Sequence, residues 1–291
     1  MSPNEKAAVP AAIPLVSSIS SLAVATDAWL VDIWGVMHNG VQPFHDAARA
    51  CMTFRRIGGT VMLLSNAPRP AASVAEQLRR IGVPDSAYDM ILTSGDAARA
   101  MIAELSGRPV FHLGPERDLP IYAGLGVTCT RLEEADTIVC TGLFDDDTES
   151  PENYREMLLA ARERGLPMIC ANPDLKVERG GRIIWCAGGV AALYAQLGGM
   201  VSYAGKPYRP IYELAFDELA RRRGSKVAPE RVLAIGDGVK TDIAGAGTMG
   251  LRSVFIASGV HVAGVLDEAS LGQLFADAPA RPAAAMRALV W

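Results

Sequence analysis

The chain has 291 residues, of which 50% are hydrophobic and 21% charged, and its formal net charge is −4. This composition is typical of a folded globular protein of one or two domains and excludes a disordered chain. No long basic block and no apolar run of ~20 residues is present, so we expect neither a nucleic-acid partner nor a membrane-spanning helix.

The N-terminal residues and the cysteines indicate a compartment. Residues 1–26 lack the basic start and continuous apolar core of a signal peptide, and we expect an arm that packs on the domain. The five cysteines form no CxxC pair, and most lie in apolar segments. We therefore expect free thiols in a cytoplasmic protein.

Short apolar runs alternate with longer amphipathic stretches along the chain. In chain order the pattern predicts strand 28–33, helix 44–57, strand 60–64, helix 70–81, strands 90–92, 109–112 and 137–141, helix 151–164, strand 167–170, helices 187–197 and 209–223, strand 231–235, helix 241–247, strand 251–256, and helices 265–275 and 282–289. This alternation predicts an α/β fold with a parallel sheet covered on both faces.

Four short segments hold residues that suit chemistry. Asp32–Val36 follows the first predicted strand, and Ser65-Asn66 follows the second. Gly205-Lys206-Pro207 opens a helix, and Gly236–Asp242 follows a third strand. Ligands of open parallel sheets bind beyond the carboxyl ends of the strands, so we expect these segments to converge on one pocket.

The residue types in these segments suit phosphoryl transfer. Asp32 can attack phosphorus and form an aspartyl-phosphate. Asp32 and Asp237 can hold Mg²⁺ through hard oxygen ligands, while Asp242 orders a metal-bound water or braces the loop. The Ser65 hydroxyl can hydrogen-bond the phosphoryl oxygens, and Lys206 adds a fixed positive charge.

Each segment alone also has an ordinary structural explanation. Asp32 could cap a helix, Ser65-Asn66 is a common turn pair, and Lys206 could be a surface residue at a helix start. Only their combination favours a phosphate and metal pocket. The GxGxxG pattern at 245–250 follows a helix and precedes a strand, which is the reverse of a dinucleotide-binding motif.

Together these segments resemble the haloacid dehalogenase superfamily, in its class IIA branch of phosphatases similar to the nucleotide and pyridoxal-phosphate phosphatases. The likeness runs from about Ala28 to Val260. It includes Ile169–Asp174, similar to that branch's cap segment ATNPD, and Gly188-Gly189, similar to the glycine turn that follows it. The resemblance implies a Rossmann-like parallel-sheet core at residues 1–88 and 201–291, with an inserted α/β cap domain of the C2 type at 89–200.

The resemblance also implies a role for each matching residue. The nucleophile is Asp32, the phosphate-binding residues are Ser65, Asn66 and Lys206, and the Mg²⁺ ligands are Asp32, the backbone carbonyl of Trp34 and Asp237, with Asp242 nearby. Asn172 and Asp174 are expected to face the active site from the cap. Caps of this type often mediate dimers in that family, so a homodimer is a further expectation.

Position 34 departs from the family's DxD pattern. Trp34 stands where the second Asp would protonate the leaving oxygen and later activate water, and such acid–base catalysis typically contributes ~10²–10⁴-fold. We therefore expect a Mg²⁺-dependent phosphatase of a small phosphorylated metabolite that is weakened or limited to good leaving groups, such as acyl or aryl phosphates. His38, six residues after Asp32, is a hypothetical substitute for the proton donor, and Trp34 is expected to form part of the pocket wall or to stack on the cap.

Two alternatives remain open at this point. A phosphometabolite-binding or regulatory protein would keep the pocket and lose turnover. The second alternative is a dehalogenase. Dehalogenation needs no metal, whereas the acidic loop Gly236–Asp242 suits one, so this loop argues against a dehalogenase.

Overall fold

The computed structural model describes residues 12–179, 182–257 and 266–291. Its strands are β1 (Ala28–Val31), β2 (Thr60–Ser65), β3 (Met90–Thr93), β4 (Pro109–Leu113), β5 (Thr128–Cys129), β6 (Thr137–Cys140), β7 (Met168–Cys170), β8 (Lys176–Arg179), β9 (Arg182–Trp185), β10 (Val201–Tyr203), β11 (Val232–Gly236), β12 (Arg252–Ile256) and β13 (Ala284–Met286). Its α-helices are α1 (Ser20–Ala23), α2 (His45–Arg56), α3 (Ala71–Ile81), α4 (Ser94–Ala103), α5 (Arg155–Glu163), α6 (Ala187–Gln196), α7 (Arg209–Arg223), α8 (Ala244–Thr248) and α9 (Glu268–Leu274).

The larger sheet has the order β13-β12-β11-β1-β2-β3, and all its strand pairs are parallel. Alternate residues of β1 enter cores on opposite faces. Trp29 stacks on Phe54 of α2, with ring centroids 4.0 Å apart, whereas Leu30 joins the cluster that contains Tyr212 of α7. Burial on both faces explains why the central strands are continuous apolar runs rather than alternating ones.

A second sheet has the order β10-β7-β6-β4-β5 and is also parallel. Its own apolar cluster includes Ile138 of β6, Leu158 of α5 and Tyr194 of α6. The antiparallel hairpin β8–β9 lies between β7 and α6 in the chain. These two layered α/β units confirm the predicted class, a Rossmann-like core with an α/β cap.

Sheet membership shifts both predicted domain boundaries, 89 and 201. β3 pairs with β2 and so belongs to the core sheet, although a cap beginning at residue 89 would include it. β10 pairs with β7 and so belongs to the cap sheet, although the predicted core resumes at residue 201. The apolar run of each strand fits either sheet, so only the pairing decides which one it joins. The cap sheet spans residues 109–203.

Two local predictions also need correction, and two further elements were missed. The predicted helix 282–289 is instead the strand β13, whose Ala-rich segment pairs with β12, because tertiary pairing overrides helix propensity. The predicted helix 241–247 is a π-helical turn at Val239–Ile243 followed by α8. The hairpin β8–β9 and the short strand β5 were not predicted, because their residues show no clear apolar alternation.

The described part of the N-terminal arm packs on the core as expected. The backbone N–H of Val16 donates to the carbonyl of Ala285 at 2.9 Å, and Ile19 is buried. Residues 1–11 of the arm, residue 265 of the predicted last-but-one helix and Val260 at the end of the family likeness lie outside the described residues. The five cysteines are free thiols, and all but Cys129 are buried. Within the described ranges, every helix is too short or too polar to cross a lipid bilayer.

Candidate active site

The carboxyl ends of three adjacent strands bring together residues that are distant in sequence. β1 lies between β2 and β11, and all three run parallel. Asp32 follows β1, Ser65 ends β2, and Asp237 follows β11. Because the carboxyl ends of parallel strands meet at one edge of the sheet, these three residues lie along the same edge, where ligands of such sheets bind.

Three carboxylates form the acidic part of the site. One oxygen from each of Asp32, Asp237 and Asp242 lies within 4.8 Å of the other two. Burial raises the pKa of Asp32 well above its usual range, and the charges of Asp242 and Asp237 raise it further, although Lys206 opposes them. Clustered hard oxygen ligands of this kind fit a divalent cation such as Mg²⁺, because the cation offsets the repulsion among the carboxylates.

Asp242 is also part of the loop that carries Asp237. Its Oδ2 accepts a hydrogen bond from the backbone N–H of Gly238 at 3.1 Å. A Cβ at Gly236 would lie 2.1 Å from the Asp242 carboxyl carbon, so the close approach of this side chain requires glycine there. The loop therefore holds Asp242 against the end of β11.

Lys206 connects the nucleophile candidate to Asp242. Its side chain is 3% exposed, and its Nζ donates to Asp32 Oδ1 at 2.6 Å, to Asp242 Oδ1 at 2.7 Å and to the carbonyl of Leu64 at 2.9 Å. Burial alone would lower the pKa of Lys206, but the charges of Asp242 and Asp32 outweigh it and raise the pKa. The ammonium is therefore a fixed positive charge beside Asp32.

Ser65 and Asn66 follow β2 at the same edge. The Ser65 hydroxyl accepts the backbone N–H of Ala67 at 3.2 Å. The buried Asn66 amide instead binds Lys206: its Oδ1 accepts the Lys206 N–H at 2.8 Å, and its Nδ2 donates to the Lys206 carbonyl at 3.0 Å. The two residues predicted to bind phosphate thus differ in how much of their hydrogen-bonding capacity is already used.

The cap contributes a turn that follows β7. Asn172 Oδ1 accepts the backbone N–H of Asp174 at 3.0 Å, and Asp174 Oδ1 accepts Asn66 Nδ2 at 2.9 Å. Burial raises the pKa of Asp174. The structure therefore places Asp174 against the core part of the site and Asn172 as a support for its turn.

Trp34 and His38 lie together in the loop after β1. The Trp34 side chain is 41% exposed, and a Cβ at Gly40 would lie 2.4 Å from its ring. The His38 ring contacts the indole edge-on, with centroids 5.4 Å apart. Trp34 thus packs on residues of its own loop, and a large part of it is open to solvent.

His38 is buried, with only 2% of the residue exposed. Its Nδ1 accepts the Gly40 N–H at 2.8 Å, and burial lowers its pKa to about 4. A neutral imidazole whose Nδ1 already accepts a hydrogen bond is suited to supporting the loop that carries Trp34. The hypothesis that His38 donates a proton stays a prediction.

Sequence reasoning missed two contacts that organise the site. The Leu64 carbonyl accepts Lys206 Nζ, and the Ser94 hydroxyl donates to the Ala171 carbonyl across the core and the cap at 2.6 Å. No sequence signal could identify a backbone acceptor, because any residue type supplies the same carbonyl. Ser94 reads as an ordinary residue at a helix start.

Comparisons with known proteins agree with this geometry. A family model described as haloacid dehalogenase-like hydrolase matches residues 29–128, and one described as HAD-hydrolase-like matches residues 203–283. A solved hydrolase of the haloacid dehalogenase-like family from Brucella suis 1330 is 47% identical, with a TM-score of 0.83, and the match covers 94% of this chain and 100% of that chain.

Two further comparisons match glycerol phosphate phosphatases. The D-glycerol 3-phosphate phosphatase of Mycobacterium tuberculosis is 29% identical over 249 residues, which cover 84% of this chain and 67% of that protein. A solved glycerol phosphate phosphatase from Mycobacterium tuberculosis, in complex with calcium, is 25% identical with a TM-score of 0.67, covering 90% of this chain and 73% of that chain. With the site geometry, the two family models and the close structural relative in agreement, this chain belongs to the haloacid dehalogenase-like hydrolase family.

Proposed function

We propose that this protein is a Mg²⁺-dependent phosphatase that hydrolyses a small phosphorylated metabolite through an aspartyl-phosphate at Asp32. The observation that carries the proposal is the 2.6 Å contact between Lys206 Nζ and Asp32 Oδ1, beside the carboxylates of Asp237 and Asp242. Attack on a phosphate dianion requires an ionised nucleophile in a positively charged setting, and we propose that Lys206 and a bound cation together shift Asp32 towards its ionised form.

The donor set supports a divalent cation as cofactor. Asp32, Asp237 and the backbone carbonyl of Trp34 would hold it, with Asp242 alongside. When bound, such an ion offsets the charge of the phosphoryl oxygens and makes phosphorus easier to attack. The relative solved with calcium supports a hard cation in this family, and we propose Mg²⁺ for this chain.

The residues of this chain account for two displacement steps. A carboxylate oxygen of Asp32 forms a bond to phosphorus while the bond from phosphorus to the substrate oxygen breaks, and the leaving oxygen takes the electron pair. Water then attacks phosphorus, and the Asp32 carboxylate leaves with the electron pair of its bond. Over the cycle, one proton of the water ends on the leaving group and the other on the released phosphate. Lys206 opposes the effect of burial on the pKa of Asp32, and its ammonium lies beside the carboxylate both before it attacks and when it leaves.

Trp34 bears on the choice of substrate, because an indole offers no carboxyl group to protonate the leaving oxygen. The cost of a missing acid is smallest when the leaving group is stable as an anion. We therefore propose acyl or aryl phosphates as better substrates than alkyl phosphates such as glycerol 3-phosphate. His38 as a replacement donor is a further proposal, and a pH–rate profile that His38→Ala leaves unchanged would refute it.

A direct test compares phosphate release by wild type and Asp32→Asn. We expect release from acetyl phosphate and p-nitrophenyl phosphate that needs Mg²⁺ and is abolished in Asp32→Asn. Asp217→Asn, which changes an exposed carboxyl on α7, is the matched control and should retain wild-type rates. Equal activity in Asp32→Asn and Asp217→Asn would overturn the proposal.

Trp34 also supports a second candidate, a phosphometabolite-binding or regulatory protein without turnover. This candidate predicts that wild type and Trp34→Asp are both inactive on a broad phosphate panel while a phosphorylated ligand still raises the melting temperature. Under either function we propose a cytoplasmic protein whose partner is a small metabolite rather than nucleic acid or membrane. A homodimer formed through the cap remains part of the proposal.

A further inference from the structure

The Asn66 side chain holds both backbone groups of Lys206. Its Oδ1 accepts the Lys206 N–H at 2.8 Å, and its Nδ2 donates to the Lys206 carbonyl at 3.0 Å. A primary amide that pairs with both groups of one residue fixes the position of that residue's backbone, much as a neighbouring strand would. The Lys206 side chain then runs from this fixed point to Asp32.

The second N–H of the Asn66 amide is used by the cap. Nδ2 also donates to Asp174 Oδ1 at 2.9 Å. A carboxamide nitrogen has two hydrogens, and both are now taken, by the Lys206 carbonyl and by Asp174. Asn66 therefore has no donor left for a phosphoryl oxygen, which argues against the direct phosphate contact that the family resemblance implies.

The cap turn that carries Asp174 is itself tightly held. Its own N–H is bound by Asn172 Oδ1 at 3.0 Å, and a Cβ at Gly188 of α6 would lie 2.2 Å from the Pro173 carbonyl oxygen. A Cβ at Gly205, next to Lys206, would lie 2.5 Å from Asn66 Oδ1. The contact between cap and core therefore leaves little room for Asn66 to move without its partners.

We propose that Asn66 is a positioning residue that couples the cap turn at Asp174 to Lys206, so that seating of the cap and placement of the ammonium beside Asp32 occur together. Asp174 acts through Asn66 and not on substrate. The kinetic part of this inference rests on the proposed phosphatase function, whereas the structural coupling does not.

The test separates this coupling from general contact between the two domains. Asp174→Ala removes the hydrogen bond between the cap and Asn66, whereas Asp174→Asn keeps an oxygen that can accept this hydrogen bond. Arg99→Ala is the matched control, because Arg99 of α4 also reaches the cap, where it donates to the carbonyls of Ile121 and Ala123, groups that belong neither to Lys206 nor to its partners. Thermal unfolding of each variant verifies that it is folded.

Amide hydrogen exchange at Lys206 is the readout that needs no turnover. We expect Asp174→Ala to speed this exchange about tenfold, since Asn66 loses the partner that holds it. Asp174→Asn should restore protection, and Arg99→Ala should leave it unchanged. Wild-type exchange in Asp174→Ala, or equal acceleration in Arg99→Ala, would overturn the coupling.

Kinetics give the second readout. We expect Asp174→Ala to lower kcat about tenfold with little change in KM, and to have no further effect when Asn66→Ala is already present. Multiplicative effects on KM would instead mark Asp174 as a substrate contact and overturn the inference. If wild type shows no Asp32-dependent turnover, the phosphatase proposal fails while the exchange experiment still decides the coupling.

Discussion

Replacing Lys206 by Met tests the charge balance of the site. The substitution removes an ammonium that is 3% exposed and that donates to Asp32, Asp242 and the Leu64 carbonyl, while keeping a side chain of similar length. The buried carboxylates of Asp32 and Asp242 then face each other without a positive charge between them. Removing one partner of a buried ion pair typically costs about 3–5 kcal/mol.

We expect a loss near the lower end, about 3 kcal/mol, for Lys206→Met in Mg²⁺-free buffer. The reason is that the pKa of Asp32 is already raised by burial and by its acidic neighbours, so this carboxyl can take up a proton instead of remaining charged. Loss of a preorganised positive group beside the reacting phosphate should also lower kcat by ~10²–10³-fold.

Urea denaturation with and without Mg²⁺ distinguishes this account from a simple packing defect. Without Lys206 the acidic cluster attracts a cation more strongly, so saturating Mg²⁺ should stabilise Lys206→Met more than it stabilises wild type. Lys226→Met, at an exposed position outside the site segments, is the matched control and should change neither quantity. The reasoning is refuted if Lys206→Met unfolds at the same urea concentration as Lys226→Met and keeps wild-type kcat.

Three further substitutions test other parts of the account. Trp34→Asp should raise turnover of glycerol 3-phosphate by ~10²–10⁴-fold and that of acetyl phosphate far less, and equal gains on both substrates would contradict a missing acid. Burial alone would raise the pKa of Asp89, but hydrogen bonds from Arg55 hold the pKa below 3.8. The Asp89 carboxylate therefore stabilises the folded protein fully above pH 3.8, and this stabilisation is lost as pH falls through the lowered pKa. Urea unfolding should show Asp89→Asn to be less stable by about 1.5–3 kcal/mol at pH 7, and a difference that persists undiminished at the lowest pH would contradict this. Gly188→Ala should lower the melting temperature, at a cost of about 1–3 kcal/mol, because its Cβ would lie 2.2 Å from the Pro173 carbonyl oxygen, and an unchanged or higher melting temperature would show that the turn yields.

The core strands and the meeting of their carboxyl ends could be predicted from the sequence. The runs 28–31 and 232–236 are continuously apolar because both faces of the sheet are covered, and they are followed at once by Asp32 and Asp237. That pattern is local in the sequence, so it can be recognised without the tertiary fold. It is why Asp32 and Asp237 could be expected at one site.

What could not be predicted depends on long-range pairing. The segment 282–289 has the composition of a helix, yet residues 284–286 pair with β12. Asn66 reads as a phosphate ligand from its position after a strand, but its amide hydrogens are taken by Lys206 and Asp174, which lie 140 and 108 residues away. Such partners are chosen by the packing of the cap on the core, which no local pattern encodes.

The central claim is that Asp32 carries the phosphoryl group, and mass spectrometry of acid-quenched protein tests it most directly. After brief incubation with acetyl phosphate and Mg²⁺, we predict a peptide containing Asp32 that has gained the mass of one phosphoryl group. The gain should disappear in Asp32→Asn and on treatment with hydroxylamine, which cleaves acyl phosphates. Rapid phosphate release without any labelled Asp32 peptide, or with the label on another residue, would contradict the account.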